Sequence, residues 1–286
     1  MMDTMKNIIV SRLIIAVMLL TTFIVFPFDS SAETKNPDLV FEEGQRLLSD
    51  SSDPQNVLKG ISLIIVAANE GSPKAMIEIG SMYTSGLGRL LSDDFEDGTA
   101  PKLALSWYEK AAESGEPDLA AAAISSDAFA YFLGSEERSV QEDDAVALEY
   151  FQKAAELGDP SAINMMVAFY IYGFGVDQDY DKALELCSSL ADKGDAEALY
   201  SMEDYAYAFY AGTKDGLDIN FSTAFKYYEK LTEYGNERAM YNLGLLYEYG
   251  LGTSRDHVKA VEWLTKALDN GYEPAKSMLD SLENNK

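Results

Sequence analysis

Few residues of this chain have the types and the spacing that catalysis or metal binding requires. His257 is the one histidine and Cys187 the one cysteine among the 286 residues. A zinc site needs several His, Cys or carboxylate ligands in a set pattern, and the G-x-S-x-G motif of many serine hydrolases is absent. We therefore expect no catalytic residue, no metal ligand and no cofactor. His257 is expected to fill an aromatic packing position, and Cys187 to be a buried structural thiol.

An acidic stretch, residues 92–98 (SDDFEDG), raises the question of calcium binding. An EF-hand loop that began at Asp93 would need Asp or Asn at its third position and Glu at its twelfth. The chain has Phe95 and Ala104 at those positions. The stretch is therefore predicted to be a solvated loop.

The overall charge of the chain narrows the classes of partner. There are 22 Lys and Arg residues against 48 Asp and Glu residues, which gives a formal net charge of −26. So acidic a surface repels the phosphate backbone of nucleic acid and the headgroups of anionic lipid, so no nucleic-acid partner is expected. Two interpretations stay open: the charge serves solubility alone, or it attracts a basic protein or peptide.

Residues 1–32 have the pattern of an export signal. Lys6 and Arg12 flank the start of an apolar run over residues 13–26, and small residues follow at 30–32. This pattern predicts a signal peptide cleaved before Glu33 and a periplasmic or secreted protein without stable membrane insertion after cleavage. The alternative is an uncleaved anchor, for which the run is shorter than the roughly 20 residues of a membrane span.

The elements that must position any functional residue are revealed by an internal repeat. A glycine ends a helical pattern six times, a small residue precedes it by eleven positions, and an alanine, or once a leucine, follows it by four. The glycines are Gly71, Gly115, Gly158, Gly194, Gly235 and Gly271. The base period is 36 residues, which is typical of stacked helical pairs.

Each unit is predicted to contain two helices. In the unit that begins at Ala239, Gly244 lies at offset +5 and Tyr247 at +8, and a small residue at +5 lets two helices approach closely. Gly250 and Gly252 then supply a turn with positive φ. The units that begin at Leu119 and Ala198 depart from the pattern. They have Ile124 and Glu203 at +5 and Asp127 and Ala206 at +8.

The string AMYNLGLLYEYGLGTSRDHVKAVEWLTKALDNGYEPA resembles the Sel-one-like repeat (SLR), a tetratricopeptide-related helical pair. The resemblance implies an all-α fold, a right-handed α-solenoid of helix–turn–helix repeats. We expect a linker over 33–38, six repeats over 39–272, and a capping helix and tail over 273–286. It also implies a non-enzymatic scaffold or adaptor that binds a protein or peptide on its concave face, in envelope function or host interaction.

By the same resemblance, the first helices of the repeats line the concave face. Tyrosine offers rigid contact area there, and carboxylates could pair with Lys or Arg of a partner. The alternative is that some of these tyrosines pack between neighbouring units. The positions expected to face a partner are Asn164, Ile171, Tyr172, Tyr200, Asp204, Tyr207, Tyr241, Leu245, Glu248 and Tyr249.

Two other functions stay open at this point. One is an acidic inhibitor of the immunity type, which would neutralise a basic toxin or enzyme and lose affinity steeply with salt. The other is a cell-wall-associated hydrolase, although the chain lacks the paired cysteines of the cysteine-rich exported proteins that it would resemble.

Overall fold

The computed structural model describes residues 36–49, 53–88, 91, 99–135 and 140–284. In these ranges the chain forms thirteen α-helices and no strand, with one isolated antiparallel bridge between Ser135 and Val140. This confirms the all-α fold class. The predicted signal peptide over residues 1–32 and the acidic stretch over 92–98 lie outside the described residues. None of the described helices is long and apolar enough to cross a membrane.

The helices follow one another as hairpins in two compact units, Met1–Ala162 and Ile163–Lys286. The helices of the first unit are α1 Pro37–Ser49, α2 Pro54–Asn69, α3 Pro73–Thr84, α4 Ala100–Glu113, α5 Pro117–Leu133 and α6 Asp144–Glu156. Helix α7, Pro160–Tyr172, spans the boundary between the units. The second unit continues with α8 Tyr180–Asp192, α9 Ala196–Ala211, α10 Phe221–Glu233, α11 Glu237–Tyr249, α12 His257–Asp269 and α13 Pro274–Asn284.

Side-chain caps fix where many of these helices begin. A cap accepts a hydrogen bond from a backbone N–H of the first turn, which has no partner within the helix. Aspartate, which also complements the positive end of the helix dipole, is the most frequent cap here, so part of the chain's acidity serves local structure. The capping residues are Asp53, Ser72, Asp143, Asp179, Asp195, Asn220, Asn236 and Asp256.

The six glycines predicted to end helices all adopt positive φ, between 77° and 108°. A Cβ added at any of them would meet nothing within 4 Å. Their requirement is therefore conformational, because only glycine adopts this backbone region without strain. This confirms the prediction for the helix ends.

A different requirement holds for the glycines at offset +5, where two helices of a hairpin touch. A Cβ on Gly80 would lie 2.5 Å from the ring of Tyr108, and one on Gly244 would lie 2.8 Å from Cγ of Leu264. A Cβ on Gly44 would lie 3.0 Å from a backbone oxygen of the next helix. The predicted close approach is confirmed at these three positions.

The predicted register of α5 is wrong by one residue. Leu119 is exposed, whereas the next residue, Ala120, is fully buried like the leading alanines of the other units. One extra residue separates Gly115 from this buried alanine, because the chain reads GEPDLA where the other units have only three residues between glycine and alanine. Offset +5 is then the small, buried Ser125 rather than Ile124.

With the unit counted from Ala120, Asp127 no longer lies at offset +8. It has a structural role in the first unit. It is buried, and the hydroxyl of Tyr108 donates to its carboxylate at 2.6 Å. Tyr131 lies beside it with its ring centroid 5.3 Å from that of Tyr150, whose hydroxyl donates to the carbonyl of Pro101 at 2.8 Å. Burial raises the pKa of all three tyrosines, for Tyr131 to about 12.

The second unit ends in a one-sided helix. Met278, Leu279 and Leu282 of α13 pack against a cluster that contains Met240 and Leu264. The outer side of α13 is exposed and polar. This arrangement covers the apolar end of the last hairpin, as a capping helix does.

Candidate functional site

Helix α9 places three of the predicted partner-facing residues on one exposed face. Tyr200, Asp204 and Tyr207 are spaced by four and three residues, so they lie in line along the helix. Tyr200 is 72% exposed and Tyr207 50%. The cap at Asp195 and the left-handed Gly212 fix the two ends of the helix that carries them.

The neighbouring first helix, α11, adds aromatic surface. Tyr249 is 60% exposed, while Tyr241 and Leu245 are half-buried. The Tyr241 ring packs against Tyr272 with centroids 5.1 Å apart. Burial raises the pKa of Tyr241, and the nearby hydroxyls of Tyr272 and Tyr210, the latter on α9, raise it further. The structure thus brings tyrosines of both helices together within the second unit.

The predicted residues of α7 are less accessible. Asn164 and Tyr172 are half-buried, and Tyr172 stacks on Phe174 with ring centroids 5.7 Å apart. The prediction that Ile171 faces a partner is wrong, because its side chain is fully buried in the core of the second unit.

Glu248 is the second residue that is wrongly predicted to face outward. It is only 5% exposed. Ile171 and Glu248 share offset +9 in helices of 13 residues, where the last turn leads into the next helix and its side chains turn inward. In α9, which has 16 residues, the same offset is the exposed Tyr207. The accessibility of this offset therefore follows the length of the helix.

The Glu248 carboxylate is held by two basic side chains of the same hairpin. Arg255 lies 2.5 Å from one oxygen, and Nδ1 of His257 lies 2.7 Å from the other. Burial acts to raise the pKa of Glu248, but hydrogen bonds and charge from Arg255 and His257 outweigh it and lower that pKa. His257 is thus a polar partner at the start of α12 rather than the aromatic packing residue that was expected.

Asp204 is also engaged within the chain. Its carboxylate lies 2.5 Å from Nζ of Lys214, and the same ammonium group lies over the Tyr205 ring at 4.2 Å. Lys214 pairs with Asp204 and Arg255 with Glu248, so both carboxylates that were predicted to face a partner are already paired within the chain. The exposed surface of α9 and α11 is therefore aromatic more than anionic. We call the rings of Tyr200, Tyr207, Tyr241 and Tyr249 the tyrosine face.

Sequence reasoning missed Tyr210 and Tyr272, which both lie near Tyr241. Tyr210 falls outside the offsets assigned to the concave face, and Tyr272 follows the helix-ending Gly271 rather than belonging to a first helix. The signal that could have found Tyr210 is the aromatic density of α9, whose second half reads YAYAFY.

The described residues hold no group of three or more His, Cys, Asp or Glu side chains that could bind a metal ion. Cys187 is fully buried, as predicted, and burial raises the pKa of its thiol to about 12. A thiol in this state is protonated at neutral pH and is a poor nucleophile.

Paired helices with a repeating glycine pattern and an exposed aromatic face define a helical-repeat protein of the solenoid class. The family model of the Sel1 repeat matches five segments that together exceed half of the chain: residues 73–116, 120–159, 162–195, 199–235 and 237–272. The chain therefore belongs to the Sel1 repeat family. The second match begins at Ala120, in agreement with the register of α5 seen in the structure.

Known proteins with similar sequences include a plant protein and a bacterial protein. The chain is 31% identical over 205 residues to the ERAD-associated E3 ubiquitin-protein ligase component HRD3B of Arabidopsis thaliana, a match that covers 66% of this chain and 31% of that protein. It is 27% identical over 247 residues to the uncharacterized protein NMB1327 of Neisseria meningitidis, covering 86% and 39%. The matched parts of these relatives are thus less than two fifths of their lengths.

Among solved structures, a Sel1 repeat protein from Oxalobacter formigenes is 24% identical, with 86% of this chain and 87% of that chain covered and a TM-score of 0.35. Sel1 repeats generally mediate protein–protein interaction, and scaffolds built from them are generally non-enzymatic.

Proposed function

We propose that this protein is an exported interaction scaffold that binds a protein or peptide partner through the tyrosine face of α9 and α11. The observation that carries the proposal is the exposure of Tyr200, Tyr207 and Tyr249, three large rings left at least half in water. Within the described part of the chain none of the three makes a hydrogen bond or a ring contact, so packing does not account for them.

Tyrosine suits this role for physical reasons. A ring that becomes buried against a partner removes a large apolar area from water, and its two side-chain torsions lose little entropy. Tyrosine is accordingly enriched among the residues that dominate binding energy at interfaces. The half-buried Tyr241 adds a ring that its contact with Tyr272 already holds in place.

The internal ion pairs indicate how the face would recognise its partner. Asp204 is already paired with Lys214, and Glu248 is paired with Arg255 and bonded to His257. Recognition would therefore depend on ring contacts, which salt screens little, rather than on charge. An exposed ion pair such as Asp204–Lys214 is worth only about 0–1 kcal/mol, so a partner cation could still replace Lys214.

The export part of the proposal is supported by the pattern of residues 1–32 alone. A periplasmic or secreted location is compatible with a role in the envelope or in contact with a host. The plant relative HRD3B is by name a component of a ubiquitin-protein ligase, which is a precedent for these repeats within an assembly.

The test is affinity capture from an envelope extract. The bait is the protein in the form present in the cell after any cleavage of its N-terminal segment. The double variant Tyr200→Ala/Tyr249→Ala is compared with wild type and with Val258→Ala, a control at a 76% exposed position on α12. We expect the captured proteins to be lost with the double variant and kept with the control, at unchanged helical circular dichroism. Equal capture by all three would refute the tyrosine face as the binding surface.

A second candidate is favoured by the net charge of −26. An acidic inhibitor would attract a basic toxin or enzyme over long range, and its affinity would fall steeply with ionic strength. Capture repeated at about 0.05 M and about 0.5 M salt, where the Debye length shrinks severalfold, separates the two candidates. Loss of the partner at high salt favours the inhibitor, and retention favours the tyrosine face.

A further inference from the structure

Helix α5 leaves an apolar line of residues in water in the first unit. Its sequence, PDLAAAAISSDAFAYFL, contains no Lys or Arg and is apolar around most of its circumference. One side packs into the core through Ala120, Ile124 and Ala128. The opposite side therefore has to present apolar residues to solvent.

The exposed residues lie along one line of α5. Positions 119, 122, 126, 129 and 133 recur at steps of three and four, which places them on one helix face. Leu119 is 42% exposed, Phe129 38% and Leu133 70%. Single exposed apolar residues are common, but an aligned set on one helix is a feature of docking surfaces. We call Leu119, Ala122, Phe129 and Leu133 the α5 stripe.

The α5 stripe has large residues near its ends and small ones in its middle. Ala122, and Ser126 on the same side of the helix, are exposed and small, so an incoming helix can approach the backbone closely there. Phe129 is held in place by an edge contact with Phe151, with ring centroids 5.1 Å apart. A surface already fixed in this way loses little entropy on binding.

Carboxylates stand at both ends of the α5 stripe. Glu116 and Asp118 are exposed beside its first residue. At the other end, Glu142 is exposed, and its Cβ lies 3.9 Å from where a Cβ of Gly134 would be. An apolar line between two acidic ends is complementary to a helix with one apolar side and cations near both of its ends.

We propose that the α5 stripe is a second docking surface, which receives the apolar side of a partner's amphipathic helix with Lys or Arg at both ends. The fourteen-residue separation of Leu119 and Leu133 corresponds to about 21 Å of helix, so the partner helix needs about four turns. This surface lies in the first unit and shares no residue with the tyrosine face, so it goes beyond the function proposed above.

A second copy of this chain is a poorer occupant than a basic helix. Pairing two α5 stripes would bring together the same carboxylates, on two molecules that each have a net charge of −26. Like charges brought together at an interface oppose association.

The probe for the test is a fluorescein-labelled, 18-residue synthetic helix with a Leu/Ala side and two Lys residues at each end. A second peptide keeps the apolar side and replaces the four Lys residues by Glu. Fluorescence anisotropy is measured against the protein as the cell retains it. We expect saturable binding of the Lys peptide and at least about tenfold weaker binding of the Glu peptide. Equal affinities for the two peptides, or no saturable binding of either, would overturn the proposal.

Variants locate the site of binding. Leu119→Gln/Leu133→Gln changes two exposed side chains, so the fold is kept, and we expect it to weaken the Lys peptide at least about tenfold. Val258→Gln on α12 is the matched control for an exposed apolar residue, and Tyr200→Ala/Tyr249→Ala is the control for the tyrosine face. Both controls should bind the Lys peptide like wild type. The proposals for the two surfaces are thus tested independently of each other. Unchanged binding by the Leu variant, or self-association of wild type that this variant abolishes, would overturn the proposal.

Discussion

Replacing Gly244 by alanine tests the contact between α11 and α12 with a single methyl group. In a helix, alanine is favoured over glycine by about 1 kcal/mol, so propensity alone would make this variant more stable. The geometry opposes the gain, because the new Cβ would lie 2.8 Å from Cγ of Leu264 and 3.2 Å from the carbonyl oxygen of Ala260. Leu264 is fully buried and cannot swing into solvent.

The two effects differ in magnitude and can be separated. Overpacking a core by a methyl group typically costs about 1–3 kcal/mol, so Gly244→Ala should lower the free energy of unfolding by up to about 2 kcal/mol after the gain in propensity. Truncation of Leu264 to alanine removes the nearest clashing atoms and leaves only the Ala260 oxygen, at 3.2 Å. In that background Gly244→Ala should raise stability by up to about 1 kcal/mol, so the effect of the substitution reverses sign.

Urea unfolding provides the assay. The chain has two tryptophans, Trp107 and Trp263, and a Trp107→Phe background leaves fluorescence to Trp263, the residue before Leu264 in α12. The free energy of unfolding is measured for wild type, both single variants and the double variant. If Gly244→Ala has the same effect with and without the Leu264 side chain, the close approach of the two helices does not explain this glycine.

Three further predictions follow from polar groups in the two cores. Tyr108→Phe removes the hydrogen bond to the buried carboxylate of Asp127 and should lower stability by about 1–3 kcal/mol, whereas Tyr108→Phe combined with Asp127→Asn should recover part of the loss in urea unfolding. The pKa of Glu248 is lowered in the folded state, so the carboxylate contributes fully to stability above its usual pKa near 4.5, and this contribution is lost as the pH falls through the folded value. Glu248→Gln should therefore flatten the acid side of a plot of urea midpoint against pH. An unchanged slope there would contradict this. Burial raises the pKa of Tyr131 from 10.0 to about 12, so the protonated hydroxyl contributes fully to stability below pH 10, and this contribution is lost as the pH rises towards 12. Tyr131→Phe should therefore reduce the fall of the urea midpoint over that pH range.

The sequence was informative where a residue type has one physical explanation. A glycine that ends a helix is required by positive φ whatever surrounds it, so Gly71 and its counterparts could be assigned from spacing alone. The register of α5 could not be, because counting from Gly115 does not detect one inserted residue before the buried Ala120. The outward face was predicted from fixed offsets, and Ile171 and Glu248 show why that fails. Exposure near the end of a helix depends on how long the helix continues, and the offset does not contain that information.

The repeats that depart from the pattern are those that carry the proposed surfaces. Helices α5 and α9 have 17 and 16 residues, against 12 or 13 in α3, α7 and α11. In each of the two longer helices the residue at offset +5 is polar and bonds a residue that caps the following first helix. Ser125 donates to Asp159, which accepts from the backbone N–H of Ser161 in the first turn of α7 at 2.9 Å. Glu203 accepts from the cap Asn236 at 3.0 Å. The regular repeats use a glycine or a valine at this offset to bring helices together.

These departures have a common consequence. A longer first helix has about one additional turn at its C-terminal end. The hydrogen bond from its polar residue at offset +5 to the cap of the following first helix holds it in place, although no glycine or valine is present at that offset. The extra length is what leaves Tyr207 in α9 exposed at offset +9, and in α5 it exposes Phe129 at the same offset and Leu133 one turn further on. Deleting Tyr210 and Ala211, the two residues of α9 that follow Phe209, should therefore weaken capture by the tyrosine face and leave binding of the Lys peptide to the α5 stripe intact. Loss of both activities would show instead that the departures serve folding rather than recognition.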